Sequence, residues 1–202
     1  MQSLNLADKV ADWARRTTTV KASILIGSRA RRRDDQIWKA DLQSDWDFQI
    51  ITSRPDIFES RDWTLSLGSS VQAYVVRRAA IGGVPKIAVL FEHTEADFVI
   101  LPAALLRVSR LLMRFGVHRK SRGLRAKLRD LAVIIRPGWT FLTGAPGWEP
   151  FYRQVIAEIP DARLSDSEVI SLATGFACDV VWTTRKIARG EWLAAQRRAD
   201  AA

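Results

Sequence analysis

The chain has 202 residues, of which 48% are apolar and 26% are charged. This length fits one domain, or a catalytic domain with a helical appendage, and the composition excludes an intrinsically disordered chain. No apolar run approaches the roughly 18 residues of a membrane span, and the single cysteine, Cys178, excludes an internal disulfide. Since the first residues also lack a basic start followed by an apolar stretch, the sequence predicts a cytoplasmic protein that has no membrane partner.

The net formal charge is +9. A positive field attracts phosphate groups, so nucleotides and nucleic acid are candidate partners, and a polycationic substrate is disfavoured. A basic surface without a specific partner is the alternative.

The first half of the chain predicts a mixture of strands and helices. An apolar stripe through Leu6, Val10 and Trp13 indicates an amphipathic helix at residues 4–16. Apolar and β-branched runs predict strands, and Pro55 is typical of a first helical turn. The predicted strands are 20–26, 46–52, 71–78, 84–91 and 96–101, and the second predicted helix is 55–65. Gly82-Gly83 predicts a hairpin-like turn, which favours antiparallel pairing of the strands on either side.

The second half is predicted to be helical. Helical spacing of apolar residues covers 105–115, 122–133, 148–158 and 165–197, with loops at Pro137-Gly138 and Pro146-Gly147. Ser165 and Glu168 have the spacing of a capping box. The sequence therefore predicts an α+β fold, with an α+β region at 1–102 and a helical region at 103–202.

Two aspartates on the second predicted strand indicate chemistry. Asp45 and Asp47 are two residues apart, and side chains alternate in a strand, so both carboxylates point to one face. Trp46 and Phe48 then point to the core. Adjacent carboxylates repel each other unless a cation neutralises them, and Mg²⁺ binds carboxylate oxygens while keeping positions for phosphate oxygens. Asp97 repeats the pattern in a later apolar strand, where an aspartate is expected to be exposed or coordinated.

A Gly-Ser turn supplies a second element. Backbone N–H groups at Gly27-Ser28, after the first predicted strand, are able to hold an anion, and the Ser28 hydroxyl adds a donor. Gly27 lacks a side chain and lets a phosphate approach closely. Together with the three aspartates, this turn predicts a metal-dependent nucleotidyltransferase.

A set of short segments carries a resemblance to a known family. They are Asp12-Trp13-Ala14, Ile26-Gly27-Ser28-Arg29-Ala30, Asp45-Trp46-Asp47-Phe48, Trp63, Leu67-Gly68, Val89-Leu90-Phe91-Glu92 and 96–102, with a fainter match at Trp182, Lys186, Gly190 and Trp192. In these segments the chain resembles the aminoglycoside 6-adenylyltransferases (streptomycin adenylyltransferases) of the polymerase-β-like nucleotidyltransferase superfamily. The resemblance is strong before residue 102 and weak after it.

The resemblance implies a mixed sheet flanked by helices, with a helical C-terminal part closing one side of a cleft. It implies transfer of a nucleoside monophosphate, AMP from ATP, to a hydroxyl. By position, Asp45 and Asp47 would bind Mg²⁺, with two ions expected, and Asp97 would be a third ligand or the base that activates the hydroxyl. The residues implied to bind the nucleotide are Gly27, Ser28 and Arg29.

The acceptor is where the chain departs from that family. The family's acceptors are cations, whereas this chain is strongly basic, and the segment between Ser28 and Asp45 is longer than usual and basic. Its basic residues are Arg29, Arg31, Arg32, Arg33 and Lys39. An anionic or neutral small molecule, RNA or a protein hydroxyl is therefore expected as acceptor. A different class of function stays open: an antitoxin-like interaction protein built on the same domain.

Several lesser features have two interpretations each. A run of nine basic residues predicts either a surface that follows nucleic-acid phosphates or a solvated helix face that also contacts the triphosphate. Its members are Arg107, Arg110, Arg114, Arg119, Lys120, Arg122, Arg125, Lys127 and Arg129. Asp179 and Glu191 either contact the acceptor or pair with Arg185 or Lys186.

Side chains without an assigned role are expected in the core or in loops. The core is predicted to include Trp13, Trp46, Trp182, Trp192 and Cys178, and Trp139 and Trp148 are predicted in loops, where a ring could stack on a base. No partner pattern is found for His93 or His118.

Overall fold

The structure, a computed structural model, describes residues 5–31, 40–41, 44–68, 70–79, 82–160 and 165–199, the last three of these by their backbone alone. The chain divides into two compact units, Met1–Asp161 and Ala162–Ala202. The strands and the helices up to Glu158 belong to the first unit, so the change from strand to helix at Pro102 lies inside it. No helix among the described residues is long and apolar enough to cross a membrane.

The first unit contains six strands and five α-helices among its described residues. The strands are β1 Val20–Ile26, β2 Trp46–Thr52, β3 Val71–Arg78, β4 Pro85–Phe91, β5 Glu95–Pro102 and β6 Trp139–Thr143. The helices are α1 Leu6–Arg16, α2 Ala103–Arg114, α3 Val117–Lys120, α4 Arg122–Ile135 and α5 Ala145–Glu158, with short 3₁₀ helices at Ser28–Ala30, Pro55–Phe58 and Arg61–Leu67.

The six strands form one mixed sheet in the order β3-β4-β5-β2-β1-β6. Strands β2 and β5 pair in parallel, and the other neighbours pair antiparallel. The predicted α+β class is therefore confirmed, as is the antiparallel pairing of β3 with β4 across Gly82-Gly83. The parallel pair brings the strand of Asp47 beside the strand of Asp97.

Apolar clusters cover both faces of the sheet. On one face Phe48 and Phe98 pack with Trp13 of α1 and with Trp63, which lies on a 3₁₀ helix. On the other face the apolar side chains of β1 pack against α2, α4 and α5, and Tyr152 is fully buried there. Strands β1, β2 and β5 are thus largely buried, and Asp47 and Asp97 lie near the first residues of β2 and β5, where the burial is incomplete.

Helix ends follow local signals. Asn5 precedes α1, and its side chain accepts the N–H of Asp8 at 2.9 Å. In the second unit, Ser165 and Glu168 form the predicted capping box at the start of helix α6, Asp166–Ala188. The predicted single helix 165–197 is wrong, because Gly190 adopts a φ of 73° and separates α6 from α7, Trp192–Ala199.

Three further predictions of secondary structure need correction. Residues 55–65 form 3₁₀ helices rather than one α-helix. The segment after Pro137-Gly138 is strand β6, which pairs with β1 and which the sequence had assigned to a loop. Pro146 lies in the first turn of α5, where its missing N–H costs nothing, and Trp148 is therefore buried in a helix rather than free in a loop.

The prediction of core residues is confirmed in the first unit and wrong in the second. Trp13 is buried and Trp46 is half-buried. In the second unit Trp182 and Trp192 are 53% and 65% exposed, and Cys178 is exposed. Helix α6 carries apolar side chains on several sides, and no side chain of α6 is buried.

Candidate metal centre

Five residues lie in register across the sheet. Ala88 on β4 pairs with Asp97 on β5, Asp97 pairs with Asp47 on β2, and Asp47 pairs with Ile26 on β1. Ile26 pairs in turn with Trp139 on β6. Because paired residues on neighbouring strands point to the same face, the two acids and the Trp139 ring share one face of the sheet. Three strand spacings separate Asp97 from Trp139, which places their backbones about 14 Å apart.

Three carboxylates converge at this row. One oxygen each of Asp45, Asp47 and Asp97 lies within 4.8 Å of the others. Asp45 is exposed, and Asp47 and Asp97 are half-buried, so the cluster lies at the surface end of β2 and β5. The alternation predicted for Asp45 and Asp47 and the convergence with Asp97 are both present.

The cluster is electrostatically strained. Loss of solvent around Asp47 and, to a smaller extent, the charges of Asp45 and Asp97 together raise the pKa of its carboxyl to about 6, although the charge of Lys86 opposes the shift. Burial is the largest cause and repulsion the next, so the charged form of Asp47 is disfavoured unless a further cation is present.

Lys86 on β4 is already one cation at the cluster. Its Nζ lies 2.5 Å from Oδ2 of Asp97. The side chain of Asp97 is 15% exposed and that of Lys86 is 38% exposed, so the ion pair is partly shielded from water. Lys86 could not be singled out from the sequence, because a lysine in a strand pattern is typical of a solvated face.

Gly27 follows β1, and its backbone lies directly against the Asp47 carboxylate. Its φ of 71° and ψ of −157° lie in a region that strongly favours glycine. A Cβ at this position would overlap the carboxylate group of Asp47. The turn is therefore brought against the acid cluster, and Ser28 begins the 3₁₀ helix that follows.

Arg29 makes contacts within the chain that the sequence did not predict, while its predicted binding of the nucleotide stays a prediction. Its guanidinium donates to the backbone carbonyls of Asp41, Ser44 and Asp45, at distances from 2.5 to 3.3 Å. It also lies over the Trp46 ring, 4.3 Å from the centroid. Arg29 thus holds the segment that leads into β2 and fixes the backbone of Asp45. Arg31 is described as well, whereas Arg32, Arg33 and Lys39 lie outside the described residues.

A buried hydrogen bond supports β2 from the same face. Gln49 follows Asp47 by two residues and is fully buried, and its Oε1 accepts the hydroxyl of Tyr152 at 2.7 Å. Burial raises the pKa of Tyr152 well above its ordinary range, so the phenol stays protonated and keeps donating. Helix α5 is tied to the strand of the acid cluster by this contact.

A cavity of about 540 Å³ lies at the β6 end of the row. Ala30 from the turn, Trp139, Arg136 and Arg153 line it, together with Glu149. Arg153 pairs with Glu149 at 2.6 Å and lies 5.6 Å from the Trp139 ring centroid. The predicted stacking ring of Trp139 therefore borders a cavity, but an arginine already covers it.

The donor set fits a hard divalent cation. Mg²⁺ and Ca²⁺ bind oxygen at roughly 2.0–2.6 Å, so oxygens that share one ion lie up to about 5 Å apart, and carboxylate oxygens are their preferred ligands. One oxygen of each of the three carboxylates lies within 4.8 Å of the others, which meets this requirement. Binding of a divalent ion would also remove the repulsion that raises the pKa of Asp47.

Some of the basic residues singled out from the sequence in the run 107–129 make contacts with helix connections. Within the basic run, Arg110 donates to the carbonyl of Gly147, and Arg125 donates to the carbonyls of His118 and Arg119. These arginines stabilise helix connections, and nothing in their contacts favours nucleic acid over solvent.

Two predictions on single residues are resolved by ion pairs. In the second unit Glu191 pairs with Lys186, which is the salt-bridged alternative from the sequence. His118 is buried and its Nε2 lies 2.9 Å from Glu158, although the sequence showed no partner for it. His93 is exposed, 3.7 Å from Glu92.

Comparison with models of known protein families and with curated proteins found no match to this chain.

Proposed function

We propose that the chain is a metal-dependent nucleotidyltransferase with a polymerase-β-like fold, which moves a nucleoside monophosphate, AMP from ATP, to a hydroxyl group. The observation that carries the proposal is the register that brings Asp45, Asp47 and Asp97 together beside the Gly27 turn. Each element is common by itself. Their convergence at one end of a sheet supplies both a cation site and a turn for phosphates.

The chain's own residues have distinct tasks in this reaction. Asp45 and Asp47 would hold Mg²⁺, and the bound ion would supply positive charge against the phosphates of the triphosphate. Gly27 lets the turn lie directly against the Asp47 carboxylate, so that the Ser28 hydroxyl could donate to a phosphate held at the metal site. Asp97 accepts the proton of the attacking hydroxyl as the oxygen–phosphorus bond forms.

The cavity beside β6 suggests on which side of Asp47 the terminal phosphates of the triphosphate would lie. Past the turn, on the side of Asp47 away from Asp97, Arg136, Arg153 and Glu149 line the cavity and leave it a net positive charge, although Arg153 pairs with Glu149. The terminal phosphates would lie toward these arginines, and the acceptor would approach from the Asp97 side. This assignment gives the leaving pyrophosphate and the acceptor opposite sides of the metal.

The acceptor we propose is anionic or neutral. Lys86 contacts Asp97, and Arg77 and Arg78 end the neighbouring strand β3. A polycationic aminoglycoside would need acidic side chains at this point to bind and to be guided in. RNA, a phosphorylated small molecule or a protein hydroxyl has the charge that fits.

The proposal is tested by following the label from α-³²P-labelled nucleoside triphosphates. The purified protein is incubated with each triphosphate and Mg²⁺ against streptomycin, RNA, protein and cell extract, and EDTA provides the metal-free control. We expect Mg²⁺-dependent labelling that is lost in Asp45→Asn and Asp47→Asn, reduced roughly 10²–10⁴-fold in Asp97→Asn, and kept in the exposed control Glu92→Gln.

Two outcomes would contradict the proposal. Labelling near the wild-type rate in Asp47→Asn would remove the metal assignment. No labelling of any acceptor, together with no Mg²⁺-dependent binding of any triphosphate, would favour the interaction protein instead. Efficient modification of streptomycin at micromolar concentration would contradict only the acceptor class.

A further inference from the structure

Lys86 reaches the acid cluster from the strand next to Asp97. Ala88 pairs directly with Asp97, and Lys86 pairs with Val99 two residues further along β5. Since side chains alternate along a strand, Lys86 and Asp97 lie on one face as diagonal neighbours, a position from which a long side chain makes contact. The 2.5 Å ion pair is the result.

We propose that Lys86 is a built-in cation of the metal centre: it keeps Asp97 out of the metal's ligand set, so that a single divalent ion binds to Asp45 and Asp47. The inference rests on the proposed function and assigns a role to a residue which that function leaves unused. Lys86 is a positioning residue, because it acts through Asp97 and not on the transferred phosphate.

The charges of the cluster support this assignment. Three carboxylates carry a charge of −3, and Lys86 contributes +1 at Asp97. One divalent ion then brings the cluster to neutrality. A second ion at Asp97 would either bind next to the ammonium, which places like charges a few ångströms apart, or displace it, which breaks the ion pair with Lys86.

The position of the Lys86 ammonium leaves Asp97 available as a proton acceptor. The ammonium contacts Oδ2 and leaves Oδ1 as the carboxylate oxygen that can accept a proton. The two sides of the cluster are then different, with a metal on the exposed Asp45 side and a lysine-held base on the β4 side. A lysine that only covered the sheet surface would not influence metal binding in this way.

The test is Mn²⁺ binding to the purified full chain, followed by the loss of the free Mn²⁺ electron paramagnetic resonance signal. For the wild type we expect one ion per chain. Lys86→Met should bind Mn²⁺ about tenfold or more tightly, the change expected when a unit charge beside a divalent ion is removed. Lys86→Arg, which keeps the cation, should bind as the wild type does.

The double variant Lys86→Met with Asp97→Asn tests whether the tighter Mn²⁺ binding of Lys86→Met depends on Asp97. If Lys86 keeps Asp97 from the metal, the tighter binding should disappear in the double variant. Unchanged or weaker Mn²⁺ binding in a folded Lys86→Met protein would overturn the inference, and so would two ions per wild-type chain.

The double variant also keeps the test valid if Lys86→Met does not fold, because it removes both members of the ion pair and leaves the net charge of the cluster unchanged. Its Mn²⁺ affinity should stay within about threefold of that of the wild type, since Asp97 is not a ligand in this scheme, and a loss of about tenfold or more would overturn the inference. A wild-type chain that binds no Mn²⁺ would contradict the proposed function and the inference together. Two ions per chain would contradict the inference alone, so the two failures are distinguishable.

Discussion

Replacing Asp47 with asparagine should stabilise the metal-free protein at neutral pH, although it removes a charged group from the proposed site. Burial and the neighbouring carboxylates raise the pKa of Asp47 from 3.8 to about 6. Each pKa unit corresponds to about 1.4 kcal/mol, so the upper limit of the penalty is about 3 kcal/mol. Since the side chain is partly exposed and water screens its charge, we expect about 1–2 kcal/mol.

The sign of the pH dependence follows from the direction of the shift. The folded protein holds the Asp47 proton more tightly than the unfolded chain does, so this contribution to stability is complete below about pH 4 and is lost as the pH rises through about 6. In Asp47→Asn this loss is absent. The difference between the two unfolding free energies should therefore grow between these pH values and stay constant above them.

The assay is urea denaturation in EDTA, followed by tryptophan fluorescence, at a series of pH values from about 4 to 8. Glu92→Gln, which removes an exposed carboxylate, is the matched control. With Mg²⁺ at about 100 times its dissociation constant the wild type should gain about 2.7 kcal/mol, and Asp47→Asn should gain much less. The reasoning is refuted if Asp47→Asn is the less stable protein at pH 7 in EDTA, or if the difference does not depend on pH.

Three further substitutions test the surroundings of the cluster. Gly27→Ala should lower the free energy of unfolding by about 1–3 kcal/mol, because it combines a positive φ with a steric overlap; urea denaturation measures the loss, and wild-type stability would contradict the turn geometry. Arg29→Met should weaken Mn²⁺ binding severalfold by freeing the Asp45 backbone, and an unchanged affinity would show that Arg29 only supports the fold. Glu158→Gln should destabilise by about 0.5–1 kcal/mol at pH 7, because Gln154 and, to a smaller extent, His118 and Arg119 lower the pKa of Glu158. That loss should shrink as the pH falls below 4.5 and through the lowered pKa of the folded carboxyl, and a loss independent of pH would exclude the charge as its cause.

The strands that hold the acids could be predicted from sequence because each has a local signal. β1 and β2 are apolar runs ended by polar turns, and both were predicted to the residue. The alternation of Asp45, Trp46 and Asp47 also sets the faces of β2 without any knowledge of its neighbours. What sequence does not contain is the register between β2 and β5, which brings Asp97 opposite Asp47.

Features that depend on partners distant in sequence were missed. Strand β6 is short, follows a Pro-Gly pair and is defined by pairing with β1, so its local pattern indicates a loop. Arg29 binds backbone carbonyls, which are present at every residue and leave no mark in a sequence. Lys86 looks like a solvated strand residue until the register places it beside Asp97.

The cost of the acid cluster favours a cation-dependent activity over a purely structural or interaction role. The free energy of unfolding of a domain of this size is only about 5–15 kcal/mol. In the absence of metal, the charged Asp47 carboxylate lowers it by a sizeable fraction. An asparagine at Asp47 would remove the strain without changing the shape of the strand. Local arrangements that oppose stability are expected where they serve a function. Gly27 lies directly against the Asp47 carboxylate, Arg29 holds the backbone of Asp45, and Lys86 forms its ion pair with Asp97. Among the described residues, Asp45 and Asp47 have no such ion pair, and they are the carboxylates that a divalent ion would stabilise most.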